Sequence, residues 1–228
     1  MKNIKTEYDY IIVGAGSAGC VLANRLSKNP KNRVLLLEAG REDKSITLKM
    51  PGAVLLNLKS TKHNWAFKGE PEPELAGRQL QHDRGKTLGG SSSINGMVFI
   101  RGNSLDYEGW RQMGCDGWGY ADVLPYFKKM ESYSGGGDDF RGDTGPLRVH
   151  RSVPKDPLSI AFIKAGKEAG YKETDDISGY CQEGFGIFDR TVFKGERWST
   201  TRGYLDPVRD RENLTCLLYT SPSPRDGL

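Results

Sequence analysis

Apolar runs and amphipathic segments alternate along the first forty residues. Tyr10–Val13 and Arg33–Glu38 are rich in aliphatic side chains, as expected of strands in a buried parallel sheet. Between them, Ser17–Leu26 repeats apolar residues at helical spacing. The order strand, helix, strand predicts an α/β arrangement in this part of the chain.

The hydropathy pattern is less regular further along the chain. Asp122–Met130 has the spacing of a short amphipathic helix, and Pro157–Gly170 repeats apolar residues at helical intervals up to its final glycine. We expect this second helix to face the core. Most of residues 103–150 predict irregular loops. We interpret the adjacent acids Asp175 and Asp176 as solvated surface residues rather than as a metal site or a general base.

The first predicted strand runs into a turn of the form G-x-G-x-x-G. Gly14 permits the tight turn, Gly16 lacks the Cβ that would hold a pyrophosphate away, and Gly19 lets the helix approach the strand. The helix that starts at Ser17 directs free N–H groups at phosphate oxygens. Glu38 ends the second strand about 20 residues later, where a carboxylate accepts hydrogen bonds from ribose hydroxyls. This pattern predicts a dinucleotide site, for either NAD or FAD.

A second glycine-rich stretch, Arg84–Gly102 (RGKTLGGSSSINGMVFIRG), helps to choose between the two dinucleotides. It has too many glycines for a helix, and its apolar residues are too regular for a flexible linker. Such a backbone can lie flat against a large planar ligand and direct N–H groups at ring heteroatoms. An NAD enzyme leaves this stretch unexplained, so we favour FAD.

These two stretches resemble the glucose–methanol–choline (GMC) oxidoreductases, which are FAD-dependent enzymes that oxidise alcohols. The resemblance runs from about Tyr8 to Thr215, and within the family the chain is similar to the choline dehydrogenase-like bacterial branch. Further motifs match in order and spacing: VLLLEAG (Val34–Gly40), HNWAF (His63–Phe67), EPEP (Glu70–Pro73), DDISGYCQEGFG (Asp175–Gly186) and RWSTTRGYLDP (Arg197–Pro207).

The resemblance implies an α/β fold class, with a Rossmann-like FAD-binding domain of the GMC or glutathione-reductase type. It implies that this domain is incomplete here and is followed by the beginning of an α+β substrate-binding domain. We assign residues 1–150 to the N-terminal part of the FAD domain, including loops that cover the flavin. Residues 151–215 would start the substrate-binding region and return towards the FAD domain.

Residues 216–228 break the expected pattern, because proline and serine alternate where a strand should continue. The codons that Cys216–Asp226 permit resemble a transposon-based sequencing adapter. We therefore predict that residues 216–228 form a non-native tail.

The resemblance also implies which residues contact the cofactor. The FAD pyrophosphate would be held by Gly14, Gly16, Ser17 and Gly19. Glu38 would bind the adenosine ribose, and Trp65 would lie near the adenine unless it is an ordinary buried tryptophan. The isoalloxazine ring would be bordered by Thr87, Gly89, Gly90, Asn95, Gly96, Met97 and Val98.

Two further positions carry expectations from the same resemblance. Some relatives attach flavin covalently through a histidine at the place that Ile94 occupies, so we expect non-covalent FAD. The segment Arg197–Asp206 resembles one that approaches the active site, although its hydroxyl residues could equally be helix caps: Ser199, Thr200 and Thr201.

The activity implied by the resemblance is hydride transfer from the carbon of a small alcohol to flavin N5, with a quinone or oxygen as electron acceptor. A histidine suits the general base, but none of His63, His82 and His150 matches the family's catalytic motif. We therefore expect the catalytic residues beyond position 228 and an inactive flavin-binding fragment. A lyase that retains FAD and splits cyanohydrins stays as an alternative. The particular alcohol is not readable from these residues.

Composition narrows the kinds of partner, site and cellular location that we expect for this chain. The 33 Lys+Arg and 29 Asp+Glu residues are dispersed, which argues against a nucleic-acid partner. The four cysteines are far apart and form no CxxC pair, which argues against a zinc site and a disulfide framework and favours a reducing compartment. No apolar run reaches the ~18 residues of a membrane span, and no signal peptide is recognisable. We expect a cytoplasmic protein or one peripheral to a membrane.

Overall fold

The computed structural model describes residues 7–218, which divide into two compact units. The first unit comprises residues up to Gly96 together with residues from Lys194 onward, and the second is Met97–Phe193. Residues 97–150 therefore belong with the stretch that follows them. The functional boundaries expected after residues 150 and 215 stay predictions.

The first unit is built on a parallel sheet of three strands in the order β1–β2–β11: β1 (Tyr10–Val13), β2 (Val34–Glu38) and β11 (Leu214–Leu218). The central strand aligns Val34 with both Tyr10 and Leu214. The helix α1 (Ser17–Leu26) connects β1 to β2. The unit also contains α2 (Ile46–Lys49), α3 (Val54–Leu58), β3 (Phe67–Glu72), β4 (Arg78–His82) and β10 (Glu196–Arg197).

The core of the first unit lies between the sheet and α1. Ile12, Ala23 and Leu36 are among its buried residues, together with Leu88, Leu205 and Leu214. The predicted strand Tyr10–Val13 and helix Ser17–Leu26 are confirmed, and β2 begins one residue later than predicted. On the other face of β1, Ile11 and Val13 are exposed, which is unusual for a parallel sheet.

The second unit has short elements and a smaller apolar core of Phe99, Tyr133 and Val149. Its elements are β5 (Val98–Phe99), α4 (Ser104–Gln112), α5 (Tyr120–Met130), β6 (Glu131–Tyr133), β7 (Leu147–Val149), α6 (Pro157–Glu168), β8 (Asp189–Arg190) and β9 (Val192–Phe193). Two pairs of these short strands run through the unit: β5 pairs with β8 antiparallel, and β6 pairs with β7 in parallel.

Three expectations about this unit need correction. The stretch expected to be loops contains α4, which starts with a reciprocal capping box between Asn103 and Asp106. The helix predicted at Pro157–Gly170 is present as α6, but its apolar side is exposed, with Leu158 at 78% and Phe162 at 66%. Asp176 is not a solvated surface acid, because it bonds to the buried Arg141 at 2.6 Å.

The predicted tail begins inside β11. Cys216–Leu218 pair in register with Leu36–Glu38, so these three residues extend the strand rather than break it. Residues 219–228 lie outside the described residues. The non-native origin of the tail stays a prediction.

Candidate cofactor-binding site

The glycine turn between β1 and α1 contains two kinds of glycine. Gly14 has a φ of +93°, and its N–H bonds to the Leu37 carbonyl at 2.7 Å. A Cβ on Gly19 would lie 1.9 Å from the Gly14 oxygen, so close packing excludes any side chain there. A Cβ on Gly16 would meet no atom within 4 Å. Packing within the chain therefore explains Gly19 but leaves the bare backbone of Gly16 open to a ligand.

The N-terminus of α1 has the character of an anion site. Gly16 is its N-cap, no side chain caps the helix, and no acidic residue lies in the first turn, which starts at Ser17. The first N–H groups of a helix have no acceptor within the helix and carry partial positive charge. This end of α1 thus suits phosphate oxygens.

Glu38 is buried at the end of β2 and holds the glycine turn in place. Its Oε2 accepts a hydrogen bond from the Ala15 N–H at 2.7 Å, and its Oε1 accepts one from the Gly40 N–H at 2.7 Å. Each carboxylate oxygen has a further lone pair. The residue predicted to bind ribose therefore also has a structural role in shaping the turn.

The second glycine stretch folds directly onto this turn. The Gly89 N–H donates to the Ala15 carbonyl at 2.8 Å, and a Cβ on Gly90 would lie 2.8 Å from the Gly16 Cα. The Thr87 hydroxyl, which is fully buried, donates to the Arg41 carbonyl at 2.8 Å. The structure therefore brings together two glycine motifs that are about 70 residues apart in sequence.

Beyond Gly90 the stretch forms a 3₁₀ turn, Gly90–Ser93, and then a loop through Asn95 and Gly96. Ile94 is buried in it. A Cβ on Gly96 would meet nothing within 4 Å, as at Gly16. Neither packing nor a positive φ therefore accounts for the missing side chain at Gly16 and Gly96, whereas Gly14 is explained by its φ of +93°.

The segment that starts at Arg197 makes several hydrogen bonds to this loop. Its guanidinium bonds to the Asn95 carbonyl at 2.7 Å and to the Asn95 Oδ1 at 2.9 Å. The Ser92 and Thr200 hydroxyls lie 2.9 Å apart, and the Thr200 N–H donates to Ser92 Oγ at 3.0 Å. Thr200 precedes the π-helical turn Thr201–Leu205 without capping it, so its hydroxyl serves the loop. No expectation assigned this role to Arg197, although it opens the RWSTTRGYLDP motif.

Trp65 is 42% exposed, so its interpretation as an ordinary buried tryptophan is wrong. Its ring is stacked on Phe67 with 5.6 Å between centroids, and the Lys86 Nζ lies 4.3 Å from its centroid. An exposed aromatic face beside a cation is available for an adenine, a contact that stays a prediction.

Met97 and Val98 belong to the second unit. Met97 is buried with a φ of +62°, a conformation that non-glycine residues rarely adopt. Its carbonyl accepts a hydrogen bond from the Thr191 N–H at 2.9 Å. Val98 is about half exposed at the start of β5. Their contact with a flavin stays a prediction.

Burial shifts the pKa values of two titratable side chains in this unit, Cys20 and His63. Burial raises the pKa of the Cys20 thiol to about 11, and the thiol donates to the Ala15 carbonyl at 3.2 Å. Burial lowers the pKa of His63, and Arg41 and Lys62 lower it further. Within residues 7–218 no three His, Cys, Asp or Glu side chains are grouped as metal ligands.

The sequence and the fold of this chain are similar to those of known proteins. Residues 8–221 match the family described as GMC oxidoreductase. The oxygen-dependent choline dehydrogenase of Sinorhizobium fredii is 50% identical over 206 residues, which are 90% of this chain and 38% of the relative. The mitochondrial choline dehydrogenase of Mus musculus is 48% identical over 223 residues, covering 95% and 37%. The chain thus spans well under half the length of these relatives.

Solved structures agree with the sequence comparison. Pyridoxine 4-oxidase from Mesorbium loti superposes with a TM-score of 0.89 at 34% identity, covering 93% of this chain and 42% of that one. An FAD-dependent oxidoreductase from Chaetomium thermophilum superposes with a TM-score of 0.84 at 28% identity, covering 92% and 38%.

Among the helices of the described residues, none has the length and apolarity that crossing a membrane requires.

Proposed function

Because the chain belongs to the GMC oxidoreductase family, we propose that it forms the N-terminal, cofactor-binding part of an FAD-dependent oxidoreductase acting on CH–OH groups. The observation that carries this proposal is the open backbone at Gly16 beside the uncapped start of α1. Neither feature is explained by packing, and both suit the pyrophosphate of a dinucleotide.

The ADP half of FAD would occupy the turn between β1 and α1. Gly14 and Gly19 form the tight turn, while Gly16 and Ser17 present N–H groups to the pyrophosphate. Glu38 is already oriented by the Ala15 and Gly40 N–H groups, and its free lone pairs would accept the ribose hydroxyls. The exposed face of Trp65 would lie against the adenine.

The isoalloxazine half would lie along the second glycine stretch. Thr87, Gly89 and Gly90 place this stretch against the turn, and Asn95 and Gly96 continue it. Met97 and Val98 would complete the border of the ring. A buried aliphatic side chain at position 94 offers no nucleophile, which supports non-covalent FAD.

The chemistry of the residues present indicates which steps belong to the cofactor and which to the protein. FAD, when bound, would supply the redox chemistry by accepting the hydride of the alcohol carbon. The residues of this chain bind and orient the cofactor through backbone N–H groups and small hydroxyl side chains. We assign the base that removes the hydroxyl proton to the rest of the longer protein, since the chain spans 38% of the relative from Sinorhizobium fredii.

The substrate class that we propose is a small primary alcohol of the choline type. Two relatives at 48–50% identity are named choline dehydrogenases. The name of the Sinorhizobium fredii relative describes it as oxygen-dependent. We extend the alcohol substrate to the full protein of which this chain is part, and assign neither oxygen nor a quinone as its electron acceptor.

The proposal is tested by titrating the purified chain with FAD and following the visible absorbance of flavin that co-elutes with protein. The chain should bind FAD, and acid denaturation should release all of the flavin. Gly16→Ala should weaken binding at least tenfold, because the new methyl occupies the face reserved for the pyrophosphate. Gly52→Ala is the matched control, since its Cβ also meets nothing within 4 Å.

Circular dichroism would confirm that both variants keep the fold of the unaltered chain. A folded chain that takes up no FAD would overturn the proposal. Equal affinity of Gly16→Ala and the unaltered chain would overturn the assignment of the pyrophosphate to this turn.

A further inference from the structure

Arg197 is one of the largest fully buried side chains of the described residues, at 1% exposure. Its guanidinium donates to main-chain carbonyls, and to the Asn95 Oδ1 at 2.9 Å, rather than to an acid. Nε bonds to the Leu48 carbonyl at 3.0 Å, and Nη1 bonds to the carbonyls of Asn95 at 2.7 Å and Ser92 at 3.3 Å. One side chain therefore joins three points of the first unit, two of them on the second glycine stretch.

The charge of Arg197 has no carboxylate partner within ion-pair distance among the described residues. Burial lowers the pKa of its guanidinium to about 10, so the group is still charged at neutral pH. A buried, unpaired charge costs free energy unless strong dipoles surround it. The carbonyl groups of the loop supply those dipoles, and the cation in turn fixes their direction.

Fixing a carbonyl also fixes the next N–H group. The Asn95 carbonyl and the Gly96 N–H belong to one planar trans peptide and point in opposite directions. With the carbonyl held against Arg197, the Gly96 N–H points away from the guanidinium. That N–H has no acceptor in residues 7–218, and the Cβ position of Gly96 is open.

We propose that Arg197 is a positioning residue that holds the loop carbonyls and thereby directs the Gly96 N–H outward as a hydrogen-bond donor to a bound ring. The ligand class is an electron-rich heteroatom of a planar heterocycle, whose partial negative charge the donor would stabilise. This inference rests on the proposed function for the identity of the ring. It does not need that function for the effect of Arg197 on the loop.

The test measures hydrogen–deuterium exchange of peptides covering residues 89–97 in the full chain without cofactor. Arg197→Gln should speed exchange in this loop at least tenfold, while α1 and β2 keep their protection. Arg197→Lys keeps the charge but lacks the planar guanidinium with its several N–H donors, so the loop should exchange at an intermediate rate. Arg209→Gln removes an ion-paired arginine of the same segment whose bonds go to Glu42 and Asp206, and it should leave the loop unchanged.

The same variants are then titrated with FAD. Arg197→Gln should bind FAD about tenfold more weakly and shift the visible band of the bound flavin towards that of free FAD, with partial rescue by lysine. If Arg197→Gln loses protection from hydrogen exchange throughout the chain, the exchange rate of the loop in Arg197→Lys decides the inference alone. Loop exchange equal to that of the unaltered chain would overturn the inference. If the unaltered chain binds no FAD, the proposed function fails, whereas the exchange rates still decide whether Arg197 holds the loop.

Discussion

The two units handle buried polar groups in opposite ways. In the first unit, Arg197 is buried without an acid, and the start of α1 is left without a cap. In the second unit, Arg141 is buried in a cluster of ion pairs, bonding to Glu131 at 3.0 Å, Asp176 at 2.6 Å and Asp189 at 3.0 Å. Arg101 and Arg151 complete this charge cluster by pairing with Glu131 and Asp189.

The difference separates a structural cluster from the proposed binding site. Three guanidinium groups face three carboxylates in the charge cluster, and the Tyr133 ring covers Arg141 at 3.7 Å. Its charges compensate each other, so the cluster needs no ligand. The glycine site leaves donors and bare backbone uncompensated, and such groups gain most from a bound molecule.

Breaking the charge cluster should have the largest effect on stability. Arg141→Met leaves Glu131 and Asp189 buried beside an apolar side chain, and we expect a loss of about 3–5 kcal/mol in the free energy of unfolding. Urea denaturation followed by circular dichroism measures it. Arg148→Met, which removes an exposed arginine of the same unit, should cost less than about 1 kcal/mol. Comparable losses in the two variants would contradict a structural role for the cluster.

Two of the three glycines of the turn, Gly16 and Gly19, should respond differently to the same added methyl group. Gly19→Ala places a Cβ against the Gly14 carbonyl, and overpacking of this kind costs about 1–3 kcal/mol or more. Gly16→Ala should cost less than about 1 kcal/mol, because its Cβ position is open. Thermal unfolding of both variants provides the measurement. If Gly16→Ala is the more destabilising of the two, Gly16 is a packing residue and the distinction fails.

A smaller effect on stability should appear when a change of pH titrates Asp43, an acid of the first unit. Burial raises its pKa above 3.8, and the neighbouring Asp206 raises it further, although Arg209 opposes the shift. The folded chain therefore binds this proton more tightly than the unfolded chain, and the contribution of Asp43 to stability falls as pH rises from 3.8 through the raised pKa.

Asp43→Asn should accordingly be more stable than the unaltered chain at neutral pH, with the difference vanishing below pH 3.8. Denaturation midpoints across this pH range provide the check. An Asp43→Asn variant that is less stable at pH 7 would show that the carboxylate is better compensated than its surroundings indicate.

The local features of the fold were readable from the sequence because each depends on neighbours along the chain. The bounds of β1 and α1 follow from apolar spacing and from the glycines between them. The helix α4 could have been predicted as well, since Asn103 and Asp106 have the spacing of a capping box.

The roles of Arg197, Arg141 and Asp176 could not be predicted in this way. Glu131 lies only 10 residues from Arg141, but Asp176 and Asp189 lie 35 and 48 residues from it, and the Leu48 carbonyl lies 149 residues from Arg197. Nothing in the sequence marks which acid or carbonyl will meet which guanidinium. The exposed apolar side of α6 was missed for a similar reason, because periodicity reports an amphipathic helix but not what covers it.

The sequence by itself determined the strand–turn–helix unit, the second glycine stretch and the family to which both point, since backbone conformation and hydrophobic periodicity are local properties. Only the tertiary structure decided that Gly19 and Gly90 are packed while Gly16 and Gly96 are open. It also decided which buried charges are paired. Both distinctions depend on distances between residues far apart in the chain, which chain order does not encode.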